Sequence, residues 1–293
     1  MASVFDTIGN TPLVEVQRLN PNPSVKLYAK LEGNNPGGSV KDRPALNMIR
    51  SALERGDIDK NTKLIEATSG NTGIAMALLA KLFDLQIELV MPASSTRERV
   101  VTMEAFGAKV TLLDSIEDCR DYAEEKSAGG DYYMLDQFAN PDNYRAHYKT
   151  TGPEIWRDTA QGITHFVSSM GTTGTIMGTS MFLKEQNEAI QIVGCQPTEE
   201  SSIPGIRRWP AAYLPKIFDS KRVDRIMDVS QEEATAMTRK LANAEGIFAG
   251  MSSGGAAAAA VRLCAELKSG VVVFIVCDRG DRYLSSDLFS AHA

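Results

Sequence analysis

Histidine and cysteine are scarce in this chain of 293 residues, and both are scattered along it. The histidines are His147, His165 and His292, and neither H-E-x-x-H nor G-x-S-x-G occurs, so the zinc-protease and α/β-hydrolase motifs are missing. The four cysteines form no C-x-x-C pair and fit neither a disulfide framework nor a zinc site. We therefore expect reduced thiols, a cytoplasmic protein and no metal ion.

Long apolar runs and basic runs are also missing. The apolar run Val271–Val276 is far shorter than the about 20 residues of a membrane span, and the amino terminus lacks the pattern of a secretory signal. A formal charge of −6 without a Lys/Arg-rich segment argues against nucleic acid or a membrane surface as a partner. The composition, 43% hydrophobic and 23% charged, is that of a globular protein with one large or two ordinary domains.

Short β-rich runs alternate with longer helical patterns along the chain, which predicts an α/β fold with parallel sheets. The predicted strands are Val25–Leu31, Lys63–Ala67, Ile87–Met91, Lys109–Leu113, His165–Ser169, Ile190–Gly194 and Val271–Val276. The predicted helices are Lys41–Arg55, Thr72–Leu82, Thr96–Phe106, Thr175–Gln186, Gln231–Ala244 and Ser253–Leu267. Asn, Pro, Asp and Gly cluster within residues 140–152, so we predict one α/β domain over residues 1–146 and another over residues 147–293.

The first candidate site loop, IEATSGNTGIAM at residues 65–76, turns from a predicted strand into a predicted helix. Thr68, Ser69, Asn71 and Thr72 supply hydroxyl, amide and N–H groups at the positive end of that helix, which suits a substrate carboxylate. The same residue types are ordinary helix caps, so a simple capped turn is the alternative.

A second loop, SSMGTTGTIMG at residues 168–178, has the glycines that let a backbone wrap around a phosphate. No G-K-[ST] follows it and G-x-G-x-x-G is missing, which excludes a P-loop and a dinucleotide fingerprint. The loop therefore favours the phosphate of a bound cofactor over a phosphate that is transferred.

Lys41 stands at the start of a predicted helix, within LEGNNPGGSVKDRPA at residues 31–45. The helix dipole and burial would lower the pKa of this amine and favour a Schiff base, whereas a solvated surface lysine is the alternative. The segment GMSSGGAA at residues 250–257 and Cys277, at the end of an apolar strand, predict a further turn close to a ligand. An ordinary buried cysteine is the alternative for Cys277.

Taken together, these motifs resemble the β-family, or fold type II, of pyridoxal-phosphate enzymes. T-x-G-N-T-P-L, N-P-G-G-S-V-K-D-R, A-T-S-G-N-T-G and G-T-T-G-T follow one another in this order over nearly the whole chain. D-Q-F-x-N-P-x-N at 136–143 and T-G-P-E-I-W at 151–156 are similar to the cysteine synthases. S-S-I-P-G-I-R-R-W-P at 201–210 and C-D-R-G-D-R-Y-L-S at 277–285 resemble their B isozymes. The resemblance implies two open twisted sheets with helices on both faces, an active site between two domains, and early residues that cross to the second domain.

The resemblance also implies a role for each matched residue. Lys41 matches the Schiff-base lysine, and Asn71 matches the residue that binds the 3′-oxygen of pyridoxal 5′-phosphate. The phosphate loop is matched by Gly171, Thr172, Thr173, Gly174 and Thr175, the substrate-carboxylate site by Thr68, Ser69, Thr72 and Gln137, and further cofactor contacts by Ser252 and Cys277. Cys277 stands where the A isozymes have a serine that faces the pyridine nitrogen.

The implied reaction is replacement of the acetoxy group of O-acetyl-L-serine by a sulfur nucleophile through an α-aminoacrylate, in a homodimer. Sulfide gives cysteine. Arg207 and Arg208 follow a predicted strand end, and a permanent positive charge there suits a divalent oxyanion, so we predict that thiosulfate is also accepted and gives S-sulfocysteine. A solvated surface pair is the alternative for these arginines. Another fold type II enzyme, such as a cystathionine β-synthase or a serine/threonine dehydratase, and a catalytically silent binding protein stay open as alternative functions.

Overall fold

The computed structural model describes residues 2–68 and 70–290 and contains two sheets. The larger is six-stranded, in the order β1-β2-β10-β7-β8-β9, and all its pairs are parallel except β1 with β2. Its strands are β1 (Leu13–Glu15), β2 (Val25–Leu31), β7 (His165–Ser169), β8 (Gln191–Pro197), β9 (Arg225–Val229) and β10 (Gly270–Val276).

The smaller sheet is four-stranded and parallel, in the order β5-β4-β3-β6. Its strands are β3 (Lys63–Ala67), β4 (Gln86–Pro92), β5 (Lys109–Leu113) and β6 (Tyr133–Met134). The helices of the described residues are α1 (Asp42–Arg55), α2 (Asn71–Leu82), α3 (Arg97–Ala105), α4 (Ile116–Ala128), α5 (Pro141–Lys149), α6 (Thr151–Asp158), α7 (Gly174–Gln186), α8 (Gln231–Glu245) and α9 (Met251–Glu266).

Helices cover both faces of each sheet, which explains why the central strands are apolar on consecutive residues. In β10, every residue of Val272–Val276 is buried. The large sheet packs against α8 and α9 on one face and against α6 and α7 on the other. The small sheet packs against α1, α2 and α3 on one face and against α4 on the other. The predicted α/β fold with two helix-covered sheets is confirmed.

The chain passes between the sheets more than once. Residues 13–31 form β1 and β2 of the large sheet before the chain enters the small sheet, and it returns to the large sheet at β7. The predicted boundary between residues 146 and 147 falls within α5, which packs against both α1 and α7. The limits of the two domains stay a prediction. Within the described ranges, no helix has the length and apolar character needed to cross a membrane.

The carboxyl ends of strands from both sheets meet at one place. The loop after β3 approaches the segment after β10, where Asn71 contacts Asp278, and the loop after β7 approaches α5, where Thr172 contacts Asn143. Ligands of parallel α/β sheets bind at such edges. The candidate site residues are therefore brought together by the topology.

Candidate active site

Lys41 lies at the N-terminus of α1, one residue before the helix begins, beside the end of β10. The backbone N–H of Val40 donates to the carbonyl of Cys277 (2.8 Å), and the Lys41 N–H donates to Ser39 Oγ (3.2 Å). Burial lowers the pKa of the Lys41 amine, and the nearby Cys277 and Asp278 oppose that shift. A desolvated amine is easier to deprotonate and is a better nucleophile than an ordinary lysine.

The loop between β3 and α2 brings the predicted carboxylate site together. The Thr72 hydroxyl donates to Gln137 Oε1 (2.7 Å), although 65 positions separate them in the chain. Thr68 Oγ1 accepts the N–H groups of Gly70 and Gly73, each at 3.2 Å, as a capping hydroxyl does. Thr68, Thr72 and Gln137 are buried, and Ser69 lies outside the described residues. The capping role of Thr68 is compatible with a carboxylate site, because the hydroxyl orders a loop at a helix N-terminus, where N–H groups suit an anion.

Asn71 begins α2 and contacts the segment that follows β10. Its Nδ2 donates to Asp278 Oδ2 (2.7 Å), and Arg282 Nη1 donates to its Oδ1. Asp278 is completely buried and Arg282 is 8% exposed, whereas Asn71 itself is partly buried.

The phosphate loop, Gly171–Thr175, joins β7 to α7. Thr173 adopts a left-handed backbone with φ of 71°, and its buried hydroxyl has no hydrogen-bond partner in the structure. A Cβ at Gly171 would lie 2.7 Å from the carbonyl oxygen of Gly205, and one at Gly174 would lie 1.9 Å from Asn143 Oδ1. The loop is thus a close-packed cradle at a helix N-terminus with an unused donor, which suits a phosphate.

Two residues that the motif analysis did not assign support this loop. Asn143 Nδ2 donates to the carbonyl of Gln137 (2.7 Å) and to Thr172 Oγ1 (3.2 Å), which connects the carboxylate site to the phosphate loop. His147 is completely buried beneath Thr175, with 3.4 Å between its Nε2 and Thr175 Oγ1. Burial, followed by the nearby Arg43, lowers the pKa of His147 well below its ordinary value. Asn143 and His147 are four residues apart on α5, which puts both on one face of the helix. That spacing is the sequence feature that could have indicated their shared role.

Cys277 follows β10 directly, and its backbone N–H donates to Ser253 Oγ (2.8 Å). Burial, followed by the negative charge of Asp278, raises the pKa of the Cys277 thiol to about 12. The thiol is therefore neutral at physiological pH. The carbonyl of Ser252, which is buried in the first turn of α9, accepts a hydrogen bond from Ser169 Oγ (2.7 Å).

Arg207 and Arg208 point in different directions from a segment that packs on the phosphate loop. The Arg207 N–H donates to the carbonyl of Met170 (2.9 Å), and the indole N–H of Trp209 donates to the carbonyl of Gly171 (2.7 Å). Arg208 pairs with Asp228 (2.6 Å), whereas the Arg207 guanidinium donates to the adjacent Ile206 carbonyl (3.2 Å).

Comparison with known proteins agrees with this geometry. Residues 4–278 match the family model of pyridoxal-phosphate-dependent enzymes. Cysteine synthase B of Pseudomonas aeruginosa is 58% identical over 98% of this chain and 97% of its own length.

The chain belongs to the cysteine synthase family of pyridoxal-phosphate-dependent enzymes.

Solved structures of this family share the fold. A cysteine synthase from Entamoeba histolytica is 34% identical, with a TM-score of 0.93 over 99% of this chain and 90% of its own. The O-acetylserine-dependent cystathionine β-synthase from Helicobacter pylori is 36% identical, with a TM-score of 0.91 over 99% of both chains. The expected family, its cofactor and its enzymatic nature are confirmed.

The residues present fit pyridoxal phosphate. The unpaired Thr173 hydroxyl and the glycine cradle suit its phosphate, and the desolvated Lys41 amine suits its aldehyde carbon. In residues 2–68 and 70–290, no group of three or more His, Cys, Asp and Glu residues could hold a metal ion.

Proposed function

We propose that this cysteine synthase family member replaces the acetoxy group of O-acetyl-L-serine by sulfide to give L-cysteine. The observation that carries the proposal is the meeting of three parts at one strand edge: a desolvated lysine, a phosphate cradle and the buried Thr72–Gln137 pair. An amino-acid substrate needs all three, because its carboxylate, its amino group and the cofactor must be held together.

Each part of the chain has a defined task in this reaction. Bound pyridoxal phosphate supplies an electron sink that stabilises negative charge at the substrate α-carbon. The Lys41 amine would remove the α-proton of the substrate as a general base. Thr68, Ser69, Thr72 and Gln137 hold the carboxylate, so that the α-proton faces Lys41 and the acetoxy group can leave from the β-carbon.

Cys277 tunes the electron sink in this proposal. A thiol whose pKa is about 12 stays neutral and cannot protonate a pyridine nitrogen as a carboxylic acid would. A weaker sink favours prompt loss of acetate over a long-lived carbanion. We also propose that Ser252 contacts the cofactor. Ser252 lies in the first turn of α9, and Cys277 directly follows β10.

A β-replacement enzyme that joins homocysteine to O-acetylserine and forms cystathionine is the second candidate. The Helicobacter pylori protein of the same fold is named as an O-acetylserine-dependent cystathionine β-synthase. A four-way assay separates the candidates. We expect turnover of O-acetylserine with sulfide, and at least tenfold less with homocysteine, with serine plus homocysteine, or with threonine. Faster turnover with homocysteine than with sulfide would contradict the proposal, and no turnover at all would favour a silent binding protein.

We propose thiosulfate as an additional sulfur donor, with Arg207 as its anchor. Burial lowers the pKa of the Arg207 guanidinium, and the negative charge of Glu117 partly opposes that shift. The guanidinium donates to the neutral Ile206 carbonyl, so a divalent anion would give it a charged partner. Arg208 already has Asp228 and the Pro197 carbonyl as partners, which makes it the matched control.

Arg207→Ala should lower kcat/KM for thiosulfate by about 10- to 100-fold, the cost of a charge-assisted hydrogen bond, with sulfide almost unaffected. Arg208→Ala should affect both donors equally or neither. Equal loss with both donors in Arg207→Ala would instead implicate the acyl substrate, and unchanged thiosulfate efficiency in Arg207→Ala would contradict the proposal.

We also propose a cytoplasmic homodimer that binds small molecules and neither nucleic acid nor membranes. The net charge of −6 and the scattered cysteines support these assignments, and the family resemblance supports the dimer. Sedimentation of the purified protein at micromolar concentration should give the mass of two chains.

A further inference from the structure

The segment after β10 holds two parts of the active site at once. Arg282 Nη2 donates to the carbonyl of Gly37, residues Ser39 and Asp278 form an antiparallel bridge, and Cys277 accepts the Val40 N–H. These contacts fix the loop that carries Lys41. The same segment reaches Asn71 through the side chains of Asp278 and Arg282.

The charges on either side of Asn71 determine which way its amide points. A carboxylate accepts hydrogen bonds only, and a guanidinium donates only. Asp278 therefore requires the Nδ2 end of the amide and Arg282 requires the Oδ1 end. A flipped amide would place its oxygen against the Asp278 carboxylate and its N–H groups against the Arg282 guanidinium, losing both bonds in a network whose two charged members are buried.

We propose that Asp278 and Arg282 are positioning residues. They fix the orientation of the Asn71 amide, so that its second N–H can donate to the cofactor. An amide carries two N–H donors, and Asp278 takes one of them. The other is the donor that the proposed contact with the 3′-oxygen of pyridoxal phosphate needs. The inference rests on that proposed role of Asn71. The effect of these two residues would be preorganisation. The amide is already oriented before the cofactor binds, so it does not have to break a hydrogen bond and rotate.

Asp278→Asn replaces the carboxylate by a group of the same shape that can donate or accept. We expect the apoprotein to bind pyridoxal phosphate about 10-fold more weakly and the visible absorbance of the bound cofactor to shift. Tyr283→Phe is the matched control, because the Tyr283 hydroxyl donates to the same Asp278 oxygen (2.7 Å) without touching Asn71. That variant should lower Tm slightly and leave absorbance and affinity unchanged. Unchanged absorbance and affinity in Asp278→Asn would overturn the inference.

An exchange of donor and acceptor separates the network from the cofactor contact. Asn71→Asp sets a second carboxylate against the buried Asp278 and should lower the Tm of the apoprotein. Adding Asp278→Asn restores a donor–acceptor pair, with Arg282 beside the new carboxylate, and should recover most of that Tm while the cofactor absorbance stays altered. Failure to recover Tm would overturn the pairing. Recovery of both Tm and absorbance would support the pairing of residues 71 and 278 but contradict the contact between Asn71 and the cofactor. The proposed cysteine synthase function is tested separately, by the assay with O-acetylserine and sulfide.

Discussion

The protonation state of the Cys277 thiol determines how this residue would affect the cofactor's pyridine nitrogen. Its thiol lies at the end of a buried strand, and burial raises its pKa to about 12. The sequence placed this residue at a strand end but could not reveal its protonation state, because that depends on desolvation and on the folded-state distance to Asp278.

Changing Cys277 should alter the product distribution. Cys277→Ser should keep turnover within a few fold, because a hydroxyl is also neutral. Cys277→Asp should slow loss of acetate and raise transamination, since a carboxyl beside the pyridine nitrogen raises its proton affinity. Product analysis by mass spectrometry after long incubation would check this. An identical product ratio for the Asp variant and the wild type would mean that Cys277 does not face the ring.

At the scale of elements, apolar runs and glycine loops were the informative signals. Strands β2, β3, β5 and β7 begin and end where their patterns predict. In β3 and β7 nearly every residue is buried, because helices cover both faces of these strands. β5 is an edge strand without a buried residue. The edge strand β9 was not predicted, since three of its five residues are exposed and polar and apolar types mix. Helices α4, α5 and α6 were also missed, and with them Asn143 and His147, whose roles depend on contacts with distant loops.

The phosphate loop depends on the lack of a side chain at Gly174. Gly174→Ala would place a Cβ against Asn143, which also holds Gln137 and Thr172. We expect at least 10-fold weaker cofactor binding and a Tm lower by several degrees, as strain of this kind costs about 1–3 kcal/mol. The control is Gly129→Ala at the end of α4, where φ is −68° and the nearest atoms lie at 3.6 Å. Wild-type cofactor affinity in Gly174→Ala would show that the loop is not a tight cradle.

For the molecule as a whole, a buried ionic network joins the segments that cross between the sheets. Arg43 of α1 pairs with Glu32 (2.7 Å) and with Glu154 of α6 (2.6 Å), and Lys30 of β2 pairs with Glu154 (2.8 Å). Burial opposes ionisation of Glu154, but hydrogen bonds from Arg43 and the charges around it hold its pKa at about 2. No sequence pattern indicated this network, because Glu154 lies 111 positions from Arg43 in the chain.

Removing the central cation should destabilise the fold severely. Arg43→Met leaves the carboxylates of Glu32 and Glu154 buried without their main partner, at a cost of about 3–5 kcal/mol. Denaturant unfolding should show that loss. Arg157→Met is the control, because Arg157 pairs at the surface with Asp158 (2.8 Å) and an exposed pair contributes about 0–1 kcal/mol. Equal stabilities of the two variants would contradict the structural role of the network.

Glu66 makes the folded state less stable as pH rises, whereas Glu154, with its lowered pKa, makes it less stable as pH falls. Burial raises the pKa of Glu66 to about 8, with a partial opposing effect from the Gln137 N–H, and its Oε2 has no partner. The unfolded state loses this proton near an ordinary pKa of about 4.3 and the folded state near 8, so folding becomes less favourable as pH rises through that window. Glu66→Gln should therefore reduce the fall in Tm between pH 5 and about 8. An unchanged fall would show that Glu66 is not the group responsible.

The proposed active site requires a covalent link between Lys41 and pyridoxal phosphate. Borohydride should reduce that link irreversibly, and digestion followed by mass spectrometry should then find one pyridoxyl phosphate group, on the peptide that contains Lys41. Lys41→Ala should carry no such label and form no cysteine. A label on a different lysine, or cysteine formation by Lys41→Ala at a rate near that of the wild type, would contradict the assignment of this site.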